Sequence, residues 1–189
     1  ADWNENYYAA GTAVVEDITV RRFPVRRRDT QAFDRVNRKL MDGKQISPKE
    51  EQIFVEEMVN SPQLYEYMRD AQDEYGLYVF IPYMFGTTYY GMQVCPEKSV
   101  LIPCFHDEAY VYMRLFRQAY VKARGMIYNA MPEMELANRV YDFTTTEQIC
   151  MGIGMDTKIQ SDADAFRKQF GIDKPFILYA GRKDVGKNV

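Results

Sequence analysis

The sequence is poor in the residues on which metal and disulfide chemistry depends. It has a single histidine, His106, so no site built from several imidazoles is available. Its three cysteines, Cys95, Cys104 and Cys150, are widely spaced and odd in number. They make neither a disulfide framework nor a C-x-x-C metal site, and a reducing cytoplasm is the expected setting. No apolar run is long enough to span a bilayer, and no charged-then-apolar leader is visible. Positive charge is not in excess either: a net charge of -3 does not point to nucleic acid as the main partner.

What is present suits a soluble globular chain. With 47% hydrophobic and 27% charged residues over 189 positions, it can bury a core in one domain or one and a fraction. AVVEDITVRRF reads as one strand, with Pro24 placing its far end at a sheet edge or a turn. Three helical stretches follow. Thr30 precedes Phe33, Val36 and Leu40 at helical spacing. Ser47-Pro48-Lys49-Glu50 is a capping box with proline at the first helical position, and Ser61-Pro62 repeats that opening.

The pattern then becomes strand, helix, strand, helix. LYVFIP (77–82), SVLIPC (99–104), GMIYN (125–129), QICMGIG (148–154) and FILYA (176–180) read as strands. One helix is predicted over 107–123, with Tyr112, Met113, Phe116 and Tyr120 on one face, and another opens at Pro132. This alternation predicts an α/β fold, a Rossmann-like parallel sheet flanked by helices. Continuous apolar strands imply that both sheet faces are covered. Ligands of such sheets bind at the carboxyl ends of the strands, which directs attention to 82–88, 104–108, 129–133 and 152–156.

The closing stretch PFILYAGRKDVGKNV approaches the phosphate-gripping pattern G-x-x-x-x-G-K-[ST] but carries Asn188 where a hydroxyl would bind Mg²⁺. No helix follows Lys187 within the sequence to hold phosphates on its free N–H groups, so a P-loop is not expected.

Taken in order, FIPYMFGTTYYG, KSVLIPCFHDEAY, GMIYNAMPEMELA, MGIGMD and PFILYAGRKDVGKN resemble family 4 glycosyltransferases, the retaining GT-B enzymes that use nucleotide sugars. The resemblance runs from about Val20 to Val189. It implies that residues 1–156 are the later part of the acceptor-side Rossmann-like domain, 157–174 the connector, and 175–189 the first strand and loop of the donor domain. On this reading the chain is an excerpt of a partial GT-B architecture and is inactive by itself. The resemblance further implies that His106 is catalytic, donating a hydrogen bond to a donor-sugar hydroxyl. Arg182 and Lys187 match the basic pair that contacts the donor pyrophosphate, where fixed cations stabilise a leaving diphosphate. No metal and no other cofactor is expected, the nucleotide sugar being a substrate. The family often has serine ahead of Pro132, and Ala130 departs from it.

Other residues carry two readings each. Tyr83, Gly86 and Thr87, with Phe85 and Thr88, either shape an acceptor pocket or pack the core. Glu133 either binds substrate or is a helix-start carboxylate. Asp107 has the place of a helix N-cap. Gly154-Met155-Asp156 reads as a structural turn. RRFPVRRR (21–28) is either a solvated edge or a docking segment. In the second case Arg21, Arg22, Arg26, Arg27 and Arg28 meet an anionic partner, such as the inner face of a membrane or a lipid-phosphate acceptor. That leaves a Rossmann-like binding domain as the alternative function, and exposed sheet edges offer homo-oligomer contacts.

Overall fold

The computed structural model describes residues 3–181. The chain forms two compact units, Ala1–Ile153 and Gly154–Val189, and each is described by itself.

The first unit opens with a hairpin rather than the single expected strand. β1 (Gly11–Val15) pairs antiparallel with β2 (Ile18–Arg22), Val15 facing Ile18. The connecting Glu16 and Asp17 have φ of 49° and 63°, the geometry of a tight primed turn. Neither residue is glycine or asparagine, so the usual turn signal is missing.

Three helices follow where they were predicted. α1 (Thr30–Met41) buries Phe33, Val36 and Leu40, with Asp29 rather than Thr30 as its cap. α2 (Pro48–Glu57) carries the complete Ser47–Glu50 capping box and fully buries Phe54 and Val55. α3 is Pro62–Asp70; the Ser61 hydroxyl leaves its helix uncapped and donates instead to the Pro24 carbonyl at 2.8 Å.

The α/β core comes next: β3 (Tyr78–Phe80), α4 (Gly86–Met92), β4 (Ser99–Leu101), α5 (Arg114–Tyr120), β5 (Gly125–Tyr128), α6 (Met131–Val140) and β6 (Glu147–Cys150). All neighbours are parallel, in the order β3-β4-β5-β6. The Rossmann-like α/β reading therefore holds. Because the order steps one way, right-handed crossovers put the connecting helices on one face. Leu101, Met126 and Tyr128 point into that face and are buried with Met92, Phe116 and Leu136. The opposite face carries Val79 and Ile149, 55% and 53% exposed. Both faces were expected to be covered; among the described residues only one is.

The predicted helix over 107–123 is broken in two. A 3-10 turn, Ala109–Tyr112, is followed by α5, and Met113 between them has an extended ψ of 131°. The physical cause lies in α2. The buried Glu51 carboxylate accepts the backbone N–H groups of Arg114 and Leu115 at 2.8 and 2.9 Å. It thereby caps a new helix start. Asp107, expected as a cap, instead accepts from Arg139 and from the Tyr112 hydroxyl.

β6 ends at Cys150, four residues before the expected strand boundary at 154, and Gly152 turns there with φ 79°. In the second unit α7 (Ala163–Phe170) lies within the predicted connector, capped by Asp162 and closed by Gly171 in the left-handed conformation. The run 176–180, expected as a strand, pairs with no strand among the described residues, and Ile177 is fully exposed. Its loop, 182–189, lies outside them. Among the described residues no helix is long and apolar enough to cross a membrane.

Two outcomes follow from the buried and capped carboxylates. Glu51→Ala leaves two helix-start N–H groups without their acceptor, and equilibrium urea unfolding should show a loss of about 2 kcal/mol. Hydrogen bonds from Lys39, and from the backbone and hydroxyl of Ser47, hold the Glu50 carboxyl down from 4.5 to about 2. A folded pKa below the unfolded one means this stability is present above pH 4.5 and is lost as pH falls toward 2. Glu50→Gln should flatten that part of the acid unfolding profile.

Candidate functional site

The carboxyl ends of β4 and β5 are joined by a carboxylate. α6 starts at Ala130 without a side-chain cap. From its first turn Glu133, buried, reaches back to both strand-end loops. One oxygen accepts the Phe105 N–H at 2.8 Å and the other the Asn129 N–H at 2.8 Å. A charged acceptor shared by two main-chain donors is among the stronger hydrogen-bond arrangements. It fixes the two loops relative to each other.

Between these anchors Cys104 has φ 56°, a conformation that non-glycine residues seldom adopt. Strained backbone of this kind concentrates at functional sites because surrounding contacts must enforce it. The Asn129 side-chain amide donates to Cys104 Sγ at 3.5 Å. Burial pushes the thiol above its ordinary pKa, outweighing that hydrogen bond, so the sulfur is held as a neutral thiol.

His106 comes two residues later, exposed, and its imidazole has no hydrogen-bond partner among the described residues. Its backbone is held from behind. Phe105 is pinned by Glu133, and its ring meets Tyr83 edge-on at 4.8 Å. Tyr83 is fully buried, accepts from the Tyr120 hydroxyl through its carbonyl, and donates its own hydroxyl to Glu108 at 3.1 Å. Burial, with the Glu108 carboxylate beside it, drives the Tyr83 phenol far above its ordinary range, so it stays a neutral donor. The result is an exposed imidazole on a rigid strand-end loop, able to donate to or accept from a polar ligand.

The predicted site residues thus divide. Tyr83 and Glu133 frame the loop that carries His106. Gly86 and Thr87 serve α4 instead. A Cβ on Gly86 would lie 2.5 Å from the Val55 carbonyl oxygen, so only glycine lets α4 start against the end of α2. Thr87 donates its N–H to the Val59 carbonyl and lines a groove beside β3. Arg182 and Lys187 lie outside the described residues. In the second unit Asp156 accepts the Lys158 N–H, a local turn.

Cys104, Phe105 and Asn129 lie in the strand-end segments 104–108 and 129–133 that the sequence pointed to, but their individual roles were not foreseen. Comparison of the chain with protein-family models, with curated proteins and with solved structures finds no match.

Two variants separate frame from ligand contact. Glu133→Gln leaves one backbone N–H facing an amide N–H, and should cost about 1–3 kcal/mol in urea unfolding. His106→Ala, at an exposed position, should unfold within about 0.5 kcal/mol of wild type.

Proposed function

We propose that this chain carries the acceptor-side domain of a retaining nucleotide-sugar glycosyltransferase of the GT-B type. The observation that supports this best is the presentation of His106. It is an exposed imidazole at the carboxyl end of a parallel strand, on a loop pinned by Glu133 and Tyr83. The order of the five motifs supports the same reading.

In this account His106 donates a hydrogen bond to a hydroxyl of the donor sugar and orients it. The acceptor oxygen forms a bond to the anomeric carbon as the bond to the diphosphate oxygen breaks, with the configuration kept. The acceptor's hydroxyl proton leaves with the nucleoside diphosphate. Arg182 and Lys187 stabilise the negative charge that grows on that leaving group. Tyr83 and Glu133 act as positioning residues through Phe105. The setting is the cytoplasm, and the step uses no metal.

The basic segment is partly engaged within the fold. Arg26 is paired with Glu57 at 2.9 Å. Arg21 lies over Tyr67, Arg22 over Tyr8, and Arg28 over Phe33 at 4.4 Å. Ring stacking holds these guanidiniums against the fold but leaves their charge in place, and among the described residues only Arg26 of the five has a carboxylate partner.

The test is transfer activity of the full-length protein with UDP- and GDP-sugars. His106→Ala and Lys187→Ala should each lower turnover at least tenfold, about 1.4 kcal/mol of barrier. Wild-type rates in both variants would remove the assignment.

A further inference from the structure

α5 divides its residues between two sides. Leu115, Phe116 and Tyr120 are buried in the core. Arg114, Arg117 and Gln118, at spacings of three and four, share the opposite side and are exposed. Lys122, just past the helix, is exposed too. With Val121, Val140 and Asp142 they line a groove of about 720 Å³. Val140 is the last residue of α6, and Asp142 comes just after it. Helices between parallel strands run back toward the strand starts. The groove therefore extends toward the end of the sheet where β5 and β6 begin, away from the loop that carries His106. β3 contributes nothing to it.

The charge in this groove is unspent. The side chains of Arg114, Arg117 and Lys122 make no ion pair and no hydrogen bond among the described residues, and neither does that of Asp142. Arg26, Lys39 and Arg139, by contrast, each meet a carboxylate. Three cations around one acid leave a local excess of two positive charges, in a chain whose net charge is -3. Arg114 and Arg117 are like charges one turn apart, which weakens a helix. An anion held between them removes that repulsion.

We propose that this groove binds a phosphorylated sugar or polyol. One phosphate dianion matches the local charge excess. The guanidinium forks of Arg114 and Arg117 take its oxygens in pairs, and the Lys122 ammonium adds a point charge. Asp142 has the opposite requirement, a donor, which the hydroxyl groups of such a ligand supply. Gln118 meets those hydroxyls as donor or acceptor. Val121 and Val140 give the carbon skeleton an apolar floor, and the volume suits a small molecule. An extended anionic surface would set its charge against Asp142 and leave that acid without a donor. The groove is separate from the site around His106, and this inference does not rest on the glycosyltransferase reading.

The probes are glucose 6-phosphate, myo-inositol 1-phosphate and glycerol 3-phosphate, each titrated calorimetrically into the unmodified chain at low ionic strength, with inorganic phosphate as the comparison. At least one of the esters should bind one-to-one and more tightly than inorganic phosphate. Arg117→Gln should weaken that ester about tenfold, whereas Arg38→Gln, a cation removed from the exposed side of α1, should leave it unchanged. Asp142→Asn should weaken the ester and not inorganic phosphate. All three positions are exposed, so the variants should unfold as the wild type does, which thermal unfolding checks. Equal loss in Arg117→Gln and Arg38→Gln would mean general attraction to basic side chains and would overturn the proposal. So would equal binding of inorganic phosphate and the esters, or no binding by any of the esters.

Discussion

The sequential order β3-β4-β5-β6 is the constraint on which the rest of the structure depends. A sheet that grows in one direction with one crossover hand gathers its helices on one side. It also places every strand-to-helix loop at the same end. Three features follow together: a dense core under one face, an apolar face left open, and a row of carboxyl-end loops where a ligand site can form.

Two buried carboxylates make this arrangement rigid. Glu51 carries α2 against the start of α5, and Glu133 ties the loops after β4 and β5. Each gives both oxygens to main-chain donors, which is how an ion is kept inside without an opposite charge. Tyrosine does similar work in the core. Tyr83, Tyr120 and Tyr141 are buried, and their hydroxyls reach Glu108, the Tyr83 carbonyl and the Val111 carbonyl. Burial raises the pKa of all three, so they act as neutral donors throughout the physiological range. The high tyrosine content is thus largely a packing device with polar ends.

Local signals carried the helices well. The Ser47–Glu50 box and the spacing of Phe33, Val36 and Leu40 act within one element and survive folding unchanged. The apolar runs at 77–82, 99–104 and 125–129 likewise marked three of the parallel strands. What escaped was set at a distance. The split of the 107–123 helix depends on Glu51, more than sixty positions away along the chain. α4 was hidden because GTTYYGM has two glycines and two threonines, poor helix formers on their own, and is held by packing on α2. The Glu16-Asp17 turn lacks the glycine that usually marks its backbone. The exposed position of His106 after a strand was legible in the sequence. The role of Glu133 as a brace was not, because only the folded chain brings Phe105 and Asn129 to its two oxygens.

The functional account comes down to whether the strand-end loop meets a nucleotide sugar. His106 is the one histidine of this chain, and in a spectrum of the full-length protein labelled in histidine with ¹³C and ¹⁵N its signal is the one that His106→Ala removes. UDP- and GDP-sugars titrated into the full-length protein should move that imidazole signal with one of the two nucleotides and leave it in place with the other. A signal unmoved by either sugar nucleotide, at concentrations where binding is saturated by calorimetry, would contradict the assignment of this end of the sheet as the donor-sugar site.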